Sequence, residues 1–404
     1  MRRDPRAEAA RLVDLGIAAL DAGRRPEAAS IFQKALGHDP MSLDAHMNLG
    51  VIMAHAGQQK KAVTHLQRGV SLASGHPLVL TNAAAALLEI GRWDLAQPLL
   101  EKILAKSPKD PAALTQLAFL HLENGRRDVA VDFARRATES HPRLADAHFV
   151  LYRAVYDDRN PAAALPALTR AAELDPQPWY RFLLGVLLDQ TGDTEGSRKM
   201  LDGLGNEHYL GARDGWAYVK EKRTADTRIF SSTRETLLYG LEQARADGLV
   251  VELGVRYGIS TRWLAEKAST VHGFDSFQGL PEEWHVLAKG AYSTHGEQPH
   301  VPANVKLHVG WFDATLPVFL KETAGPLRFA NVDCDLYSST KIGLDELAPR
   351  IGPGTVLVFD EYIVNDRWRE DEYKAFQEAV TARGWKYEYL AFSLTDYQAV
   401  VRIL

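Results

Sequence analysis

Cysteine is almost absent from this sequence: Cys334 is the only one in 404 residues. A disulfide within the chain and a zinc site built from several cysteines are therefore excluded. This composition indicates a reducing compartment, and we expect the cytoplasm. No apolar run approaches the roughly 20 residues of a membrane-spanning helix. No apolar segment follows Met1-Arg2-Arg3 either, so we expect no secretory signal.

An excess of basic residues is also missing. Residues 1–207 carry 25 basic and 25 acidic residues, and residues 208–404 carry 22 and 27, so the net charge of −5 lies in the second half. Nucleic-acid enzymes usually present a basic face, and we therefore expect no nucleic-acid partner. The sequence shows no H-E-x-x-H motif and no arrangement of Ser, His and Asp typical of hydrolases.

The first half instead repeats itself every 34 residues. The period is carried by glycines at 23, 57, 91 and 125, by alanines at 28, 62, 96, 130 and 164, and by prolines at 108, 142 and 176. A unit of this length with small residues at fixed offsets resembles the tetratricopeptide repeat, a pair of antiparallel helices. Five full repeats are predicted to begin near residues 9, 43, 77, 111 and 145, and a degenerate sixth near residue 179.

These spacings predict an all-α tetratricopeptide solenoid over residues 1–207. Each glycine is expected to end the first helix of its repeat, and each alanine to lie where the two helices meet. The concave groove of such an array usually binds a peptide or another protein. Alternatively, the array caps the neighbouring domain or forms a homo-oligomer, and the sequence leaves these interpretations open.

The second half, residues 208–404, alternates strand-like and helix-like stretches. An amphipathic helix is predicted over 227–247. Strands are predicted over 249–253, 270–274, 305–309, 328–333 and 355–360, followed by a hairpin of 385–391 and 397–403. This alternation predicts a Rossmann-like α/β domain with a mostly parallel, seven-stranded sheet and an antiparallel edge. Ligands of such sheets bind where the strands end.

The first of these strand ends carries a glycine turn. Glu252-Leu253-Gly254 closes the strand, and Gly258 precedes a predicted helix. Glycines there let the backbone approach a ligand, and the helix N-terminus adds partial positive charge. The spacing is G-x-x-x-G, not the G-x-G-x-x-G of dinucleotide sites. Because Glu252 can accept hydrogen bonds from a cation, we interpret the turn as a site for S-adenosylmethionine (SAM). The alternative is an ordinary strand-to-helix turn.

Two further strand ends offer contacts for such a ligand. Asp275 lies about 20 residues after the glycine turn, where an acid holds ribose hydroxyls in dinucleotide folds. The alternative is that it only stabilises a turn. Trp311 follows the third strand and is placed either to flank an adenine ring or to pack in the core.

The last two parallel strands end in acids: Asp333 and Asp335 follow one, and Asp360 and Glu361 follow the other. Neighbouring strands lie about 4.8 Å apart, so these carboxylates converge if the strands are adjacent. They would repel each other unless a cation joins them, and Mg²⁺ takes oxygen ligands. The alternatives are that Asp335 caps the helix beginning near Ser338 and that Asp360 is a turn residue.

Several motifs match a known family in order. They are Glu252-Leu253-Gly254-Val255 with Gly258 and Ser260, Gly273-Phe274-Asp275-Ser276-Phe277, Gly310-Trp311-Phe312, Asp333-x-Asp335-Leu336-Tyr337-Ser338 and Phe359-Asp360-Glu361-Tyr362. Over roughly residues 225–400 the chain resembles the macrocin O-methyltransferase family of metal-dependent, class I SAM methyltransferases. The resemblance implies that SAM is the methyl donor, bound by Glu252, Gly254, Asp275 and Ser276. We also expect Gly258, Ser260 and Trp311 to belong to the cofactor site. The resemblance also implies Mg²⁺ or another divalent cation held by Asp333, Asp360 and Glu361.

The expected reaction is methyl transfer to a hydroxyl of a sugar, glycan or glycosylated natural product. Asp333 or Asp335 would take the proton from that hydroxyl. The segment from Lys289 to His300 is predicted either to cover the acceptor as a lid or to be a mobile surface loop. Two alternatives stay open: methylation of a protein or another non-sugar acceptor, and an interaction scaffold that has lost catalysis.

Overall fold

The computed structural model describes residues 4–204 and 210–404. The domain boundary predicted near residue 207 lies outside these residues. Within 4–204 the chain forms six antiparallel helix pairs. They are α1 (Pro5–Asp21) with α2 (Arg25–His38), α3 (Leu43–His55) with α4 (Gln59–Leu72), α5 (Pro77–Glu89) with α6 (Trp93–Lys106), α7 (Pro111–Glu123) with α8 (Arg127–Ser140), α9 (Ala145–Val155) with α10 (Leu165–Leu174), and α11 (Pro178–Gln190) with α12 (Thr194–Asp202). The predicted all-α solenoid is confirmed.

The small residues of the period act as expected. The four turn glycines have φ between 69° and 73°, which lets the chain reverse between the helices of a pair. A Cβ atom on Gly50 would lie 2.7 Å from the Leu66 side chain, so only a glycine lets α3 and α4 approach this closely. The alanines at 28, 62, 96, 130 and 164 are fully buried.

The fifth repeat departs from the pattern where the sequence does. Arg159 stands where the period places the turn glycine, and the connection is longer, with a short 3-10 helix at Pro161–Ala164. Asp158 on this connection accepts hydrogen bonds from the Arg228 guanidinium, at 2.6 Å, and from the backbone N–H of Ile229, at 3.0 Å. The irregular repeat therefore contributes a contact to the second half of the chain.

The second half contains the helices α13 (Leu210–Lys222), α14 (Thr233–Gln243), α15 (Ile259–Lys267), α16 (Phe312–Glu322), α17 (Tyr337–Leu347) and α18 (Glu372–Arg383). Its strands are β1 (Arg228–Phe230), β2 (Leu249–Leu253), β3 (Val271–Asp275), β4 (Val305–Val309), β5 (Leu327–Val332), β6 (Val356–Phe359), β7 (Tyr387–Ser393) and β8 (Gln398–Ile403). In the described ranges we find no helix with the length and apolar character needed to span a bilayer.

The strands form one sheet in the order β1-β7-β8-β6-β5-β2-β3-β4. Only β8 runs antiparallel to its neighbours, which confirms a mostly parallel sheet and the predicted hairpin. The expected number of seven strands was wrong, because β1 adds an eighth beside β7. The predicted helix over 227–247 therefore begins only at Thr233. Pairing with β7 and the Asp158–Arg228 contact stabilise β1 as a strand, and neither is visible in the local sequence.

The two halves are packed against each other. One hydrophobic cluster contains Tyr152 and Phe182 of the array together with Phe359 and Phe392 of the sheet. Near it, the buried Arg153 guanidinium lies 3.1 Å from Glu123 and 3.2 Å from Asp396. A charged group is stable inside such an interface only when it is paired. The array and the α/β half therefore share one hydrophobic cluster and a buried ion-pair network.

Candidate functional site

A cavity of about 720 Å³ opens where the strands β2 to β6 end. The strand order changes direction between β2 and β5, and open α/β sheets bind ligands at such a switch point. The site residues predicted from the sequence that line this cavity are Gly254, Asp275, Ser276, Trp311, Asp333, Asp335, Asp360 and Glu361. The structure therefore brings together strand ends that lie more than 100 residues apart in the chain.

The glycine turn lies tightly between the neighbouring strands. A Cβ atom on Gly254 would be only 1.7 Å from the carbonyl oxygen of Asp333, and the residue has φ of 92°. Its N–H donates to the carbonyl of Phe274 at 2.9 Å. Only glycine can occupy this position, and the cavity therefore has bare backbone along one wall.

Glu252, Gly258 and Ser260 do not line the cavity. Glu252 is fully buried. It accepts hydrogen bonds from Thr261 and, at 3.0 Å, from Asn331. Burial raises the pKa of Glu252 to about 7, although these hydrogen bonds oppose the rise. The Glu252 side chain therefore stabilises the glycine turn from outside the cavity. The predicted direct contact between Glu252 and SAM stays a prediction.

Asp275 joins two turns at the cavity wall. Its Oδ2 atom accepts hydrogen bonds from the backbone N–H groups of Val255, at 2.9 Å, and Arg256, at 2.8 Å. Its Oδ1 atom accepts one from Phe277 at 2.6 Å. The turn-stabilising interpretation therefore describes the carboxylate as it stands. The Oδ1 atom keeps a second lone pair, so a ribose contact is compatible with this geometry.

Trp311 is 44% exposed, lines the cavity and immediately precedes α16. The alternative that Trp311 packs in the core was wrong. Its indole ring is accessible to a flat ligand, as expected for a residue that flanks an adenine.

The predicted adjacency of the two acid-bearing strands is confirmed. In the parallel pair β5 and β6, Val332 is opposite Phe359, so Asp333 and Asp360 follow at the same level. Asp335 and Glu361 line the same cavity. Burial raises the pKa of Asp333 well above its ordinary value, and the charge of Asp360 raises it further. For Asp360 itself, burial raises the pKa to about 6 despite a hydrogen bond from Gln398.

The backbone of Asp335 is strained. Its φ is 61°, and the N–H of Leu336 donates to the carbonyl of Cys334 at 2.6 Å, closing a three-residue turn around it. No side chain caps α17, so the alternative that Asp335 is a helix cap was wrong. Burial and the charge of Asp360 raise the pKa of Asp335 to about 7. Cys334 is buried beside Thr340, as expected for packing.

A fifth acid was missed in the sequence. Glu372 lies in the first turn of α18, is fully buried, and accepts a hydrogen bond from the backbone N–H of Glu361 at 3.0 Å. Its Oε1 atom has no hydrogen-bond partner within the described part of the chain. Nothing in the sequence marks Glu372, because the charged run around it has the composition of an exposed helix start.

The donor chemistry of the acids suits a divalent cation, since hard ions such as Mg²⁺ prefer carboxylate oxygens. Across residues 4–204 and 210–404, however, no three His, Cys, Asp or Glu side chains are grouped closely enough to form a metal site. The carboxylates would have to draw closer before three of them could share one ion. Burial raises the pKa values of Asp333 and Glu361, and repulsion from Asp360, which a cation would relieve, raises them further.

Comparison with protein families identifies both halves. Residues 251–362 match the family model described as a methyltransferase domain. Residues 13–77, 87–149 and 149–204 match models described as tetratricopeptide repeat. The chain carries a methyltransferase domain preceded by tetratricopeptide repeats. The narrower resemblance to the macrocin O-methyltransferase family stays a prediction.

Among characterised proteins, the chain is similar to the 8-demethyl-8-(2,3-dimethoxy-alpha-L-rhamnosyl)-tetracenomycin-C 4'-O-methyltransferase of Streptomyces olivaceus. The two are 30% identical over 172 residues, which cover 35% of this chain and 64% of the relative. The matched region thus spans less than two thirds of that enzyme.

Among solved structures, the chain is similar to pilF of Pseudomonas aeruginosa, with 21% identity and a TM-score of 0.47 over 54% of this chain and 99% of that one. A tetratricopeptide repeat protein from Parabacteroides merdae gives 15% identity and a TM-score of 0.44, over 53% of this chain and 88% of that one. These similarities say nothing about function.

Proposed function

We propose that the protein is a SAM-dependent O-methyltransferase acting on a hydroxyl of a sugar, glycan or glycosylated natural product. The observation that carries this proposal is a single cavity with a glycine turn and Asp275 on one side and clustered acids on the other. The methyltransferase-domain match includes both sides, and the similar Streptomyces enzyme methylates a rhamnosyl group by its name. The single cysteine fits a cytoplasmic location.

The donor side would bind SAM through groups already in place. Bare backbone at Gly254 permits close approach, Asp275 and Ser276 face the ribose, and Trp311 flanks the adenine. Glu252, Gly258 and Ser260 contribute by shaping the turn. Class I, Rossmann-like character is the fold class that this arrangement favours.

On the acceptor side, Asp335 is the group best suited to take the proton of the attacking hydroxyl, with Asp333 as the alternative. The Asp335 side chain does not cap α17 and lines the cavity, which leaves its carboxylate available to accept a proton. The hydroxyl oxygen would then attack the sulfonium methyl, and S-adenosylhomocysteine (SAH) would leave. Most of the rate gain comes from holding donor and acceptor in line.

A divalent cation such as Mg²⁺ would be held by Asp333, Asp360 and Glu361. When bound, a cation lowers the pKa of a coordinated hydroxyl. Glu372 would stabilise the set by holding the peptide N–H of Glu361. A site without catalysis would have no use for this repulsive cluster, which argues against a silent scaffold.

The repeat array favours a second element of function, because tetratricopeptide grooves commonly bind protein segments. A protein partner, a carrier-bound acceptor or a second copy of the chain would occupy the groove. Methylation of a protein acceptor is the corresponding alternative reaction.

The proposal is tested by titrating SAH into the full chain in a calorimeter. Asp275→Ala should weaken SAH binding by about 10- to 100-fold, since hydrogen bonds to charged groups contribute about 1.5–3 kcal/mol. Glu283→Ala, which removes an exposed acid outside the cavity, is the matched control and should leave affinity unchanged. Absence of SAH binding to the wild-type chain would refute a SAM-dependent activity.

The acceptor class is tested separately. SAM consumption would be measured with methyl α-L-rhamnopyranoside, other methyl glycosides and unfolded protein as acceptors, with and without chelator. Turnover of a glycoside that stops with chelator and returns with Mg²⁺ supports the proposal. Turnover of protein alone would favour the alternative acceptor, and indifference to chelator would remove the cation.

A further inference from the structure

The turns of the repeat array do not all have the same surroundings. Gly23, Gly57, Gly91 and Gly125 occupy the same position in four successive repeats, each with φ near 70°. A Cβ atom on Gly23 would meet nothing within 4 Å. On Gly57 it would lie 1.9 Å from the carbonyl oxygen of Ser293, and the next two turns contact Ile259 and Arg234. The second turn therefore lies directly against the segment between β3 and β4.

The contact at the second turn continues on both sides of Gly57. The ring Nε2 of His295 is 2.8 Å from the carbonyl oxygen of Ala56. The backbone N–H of Lys60 donates to Glu297 Oε2 at 2.9 Å. The residue preceding α4, Gln58, provides no side-chain cap, so Glu297 caps this helix from the other half of the molecule. Three separate contacts thus fix residues 293–297 to the array.

The same segment carries a side chain into the cavity. Tyr292 lines the cavity, and its ring centroid is 4.7 Å from the Arg256 guanidinium. The Arg256 guanidinium is also 4.6 Å from the centroid of the Tyr257 ring, which is buried in the hydrophobic cluster of the array. Asp335 lines the same cavity as Tyr292, and burial and the charge of Asp335 raise the pKa of Tyr292. Arg256 thus lies near one tyrosine that packs into the array and near another that immediately precedes the segment fixed to the array.

The segment is also fixed at its base. The N–H of Leu280 donates to the carbonyl of Ala291 at 2.9 Å, and the N–H of Gly296 donates to Phe277 at 2.9 Å. A Cβ atom on Gly279 would lie 2.3 Å from the carbonyl oxygen of Ala291. With the base attached to the turn after β3 and the outer side attached to the array, residues 291–297 form a wall between them.

We propose that the second repeat is part of the acceptor site: the turn at Ala56–Lys60 positions residues 291–297, and through them Tyr292, over the acid side of the cavity. Gly57 and Glu297 act as positioning residues, and Tyr292 contacts the acceptor. This inference rests on the proposed function of the cavity. It gives the array a role in acceptor binding that needs no protein partner in its groove.

The test compares two glycine substitutions in the full chain by hydrogen–deuterium exchange. Gly57→Ala places a methyl group against the Ser293 carbonyl, whereas Gly23→Ala introduces the same backbone strain where no neighbour lies within 4 Å. Amides of residues 288–300 should exchange about tenfold faster in Gly57→Ala, because exchange rates follow local opening. Gly23→Ala should leave them unchanged. Equal exchange in both variants would overturn the proposal.

A second variant covers the case in which Gly57→Ala does not fold. Glu297→Ala removes the cap on α4 without altering any turn of the array, and it should also raise exchange in residues 288–300. Glu297→Gln keeps an oxygen acceptor for the Lys60 N–H and should restore most of the protection. Wild-type exchange in Glu297→Ala would count against the assignment.

Kinetics distinguish positioning from general damage. With methyl α-L-rhamnopyranoside as the probe, Gly57→Ala and Glu297→Ala should raise the acceptor KM about five- to tenfold, an effect typical of a displaced binding group. Their SAH affinity should not change. A fall in SAH affinity equal to the rise in acceptor KM would contradict a specific role. If the wild-type chain fails to bind SAH, the proposed function fails, while the exchange comparison still decides the positioning.

Discussion

The repeat array buries small apolar side chains at regular intervals, whereas the α/β half gathers carboxylates at the ends of its strands. Ala62, Ala96 and Ala130 are fully buried and have no chemistry to perform. Asp333, Asp335 and Asp360 have raised pKa values, and their charges oppose one another. Residues of the first kind stabilise the fold, and residues of the second kind are kept at a cost to stability.

This difference shows where function is to be sought in such a chain. Proteins commonly retain strained or repulsive groups only at sites that use them. The strained turn at Asp335 and the unpartnered oxygen of Glu372 lie in the same region as the acids. We therefore expect the two halves to respond to substitution in opposite ways.

The largest effect is expected for Asp333→Asn. Methyl transfer should fall about 1,000-fold, within the range for loss of a general base or its equivalent. The melting temperature should rise, because one charge leaves a repulsive cluster and such functional-site changes often stabilise by about 0.5–2 kcal/mol. SAH formation and thermal melting provide the measurements. A variant that is less stable and fully active would contradict the contrast between the halves.

The next largest effect concerns the boundary between the halves. Arg153→Met would leave Glu123 and Asp396 buried without their partner, and removing one member of a buried pair costs about 3–5 kcal/mol. Chemical denaturation would measure the loss. Arg170→Met, in an exposed pair with Glu173, is the control and should change stability by less than about 1 kcal/mol. Similar values for both variants would show that the interface is not stabilised by Arg153.

Within the array, Gly50→Ala should destabilise the protein by about 1–3 kcal/mol, the usual cost of overpacking. Its Cβ atom would lie 2.7 Å from Leu66. Gly37→Ala is the matched control, since nothing lies within 4 Å and alanine favours the helix α2 by about 0.5–1 kcal/mol. Both variants should keep the SAH affinity of the wild type. A loss of SAH affinity in Gly50→Ala would contradict the separation between residues that pack the array and residues that bind ligands in the α/β half.

The smallest effect is a pH dependence at the contact between Asp158 and Arg228. Burial would raise the pKa of Asp158, but hydrogen bonds from Arg228 and Ile229 outweigh it and the pKa is lowered. A depressed pKa means that the carboxylate stabilises the fold at neutral pH and that this stability is lost as pH falls below 3.8, the ordinary pKa of an aspartate. Asp158→Asn should therefore melt lower than wild type at pH 7, and the two should converge at low pH. A difference in melting temperature that does not change with pH would show that the charge of Asp158 is not the cause of the stabilisation.

Much of the candidate site could be predicted from the positions in the sequence where strands end. The glycine turn at Gly254, Asp275 and the acids after β5 and β6 could be predicted because strand ends of a parallel sheet meet at one edge. Glu372 could not, since it reaches the acids from a helix whose own sequence resembles an exposed start. For Asp275 the sequence left a turn-stabilising role open, but it could not show that the carboxylate joins two turns, because its partners are backbone N–H groups.

The sequence by itself determined the repeat array and the alternation of strands and helices. The repeat array depends on a spacing of 34 residues, and the alternation depends on the order of strand-like and helix-like stretches along the chain. Tertiary structure alone decided that β1 joins the sheet as an eighth strand and that Glu252 lies behind the glycine turn. It also decided that the turn at Gly57 lies against Ser293. Such contacts join residues far apart in sequence, and their energies depend on distances that no local pattern records.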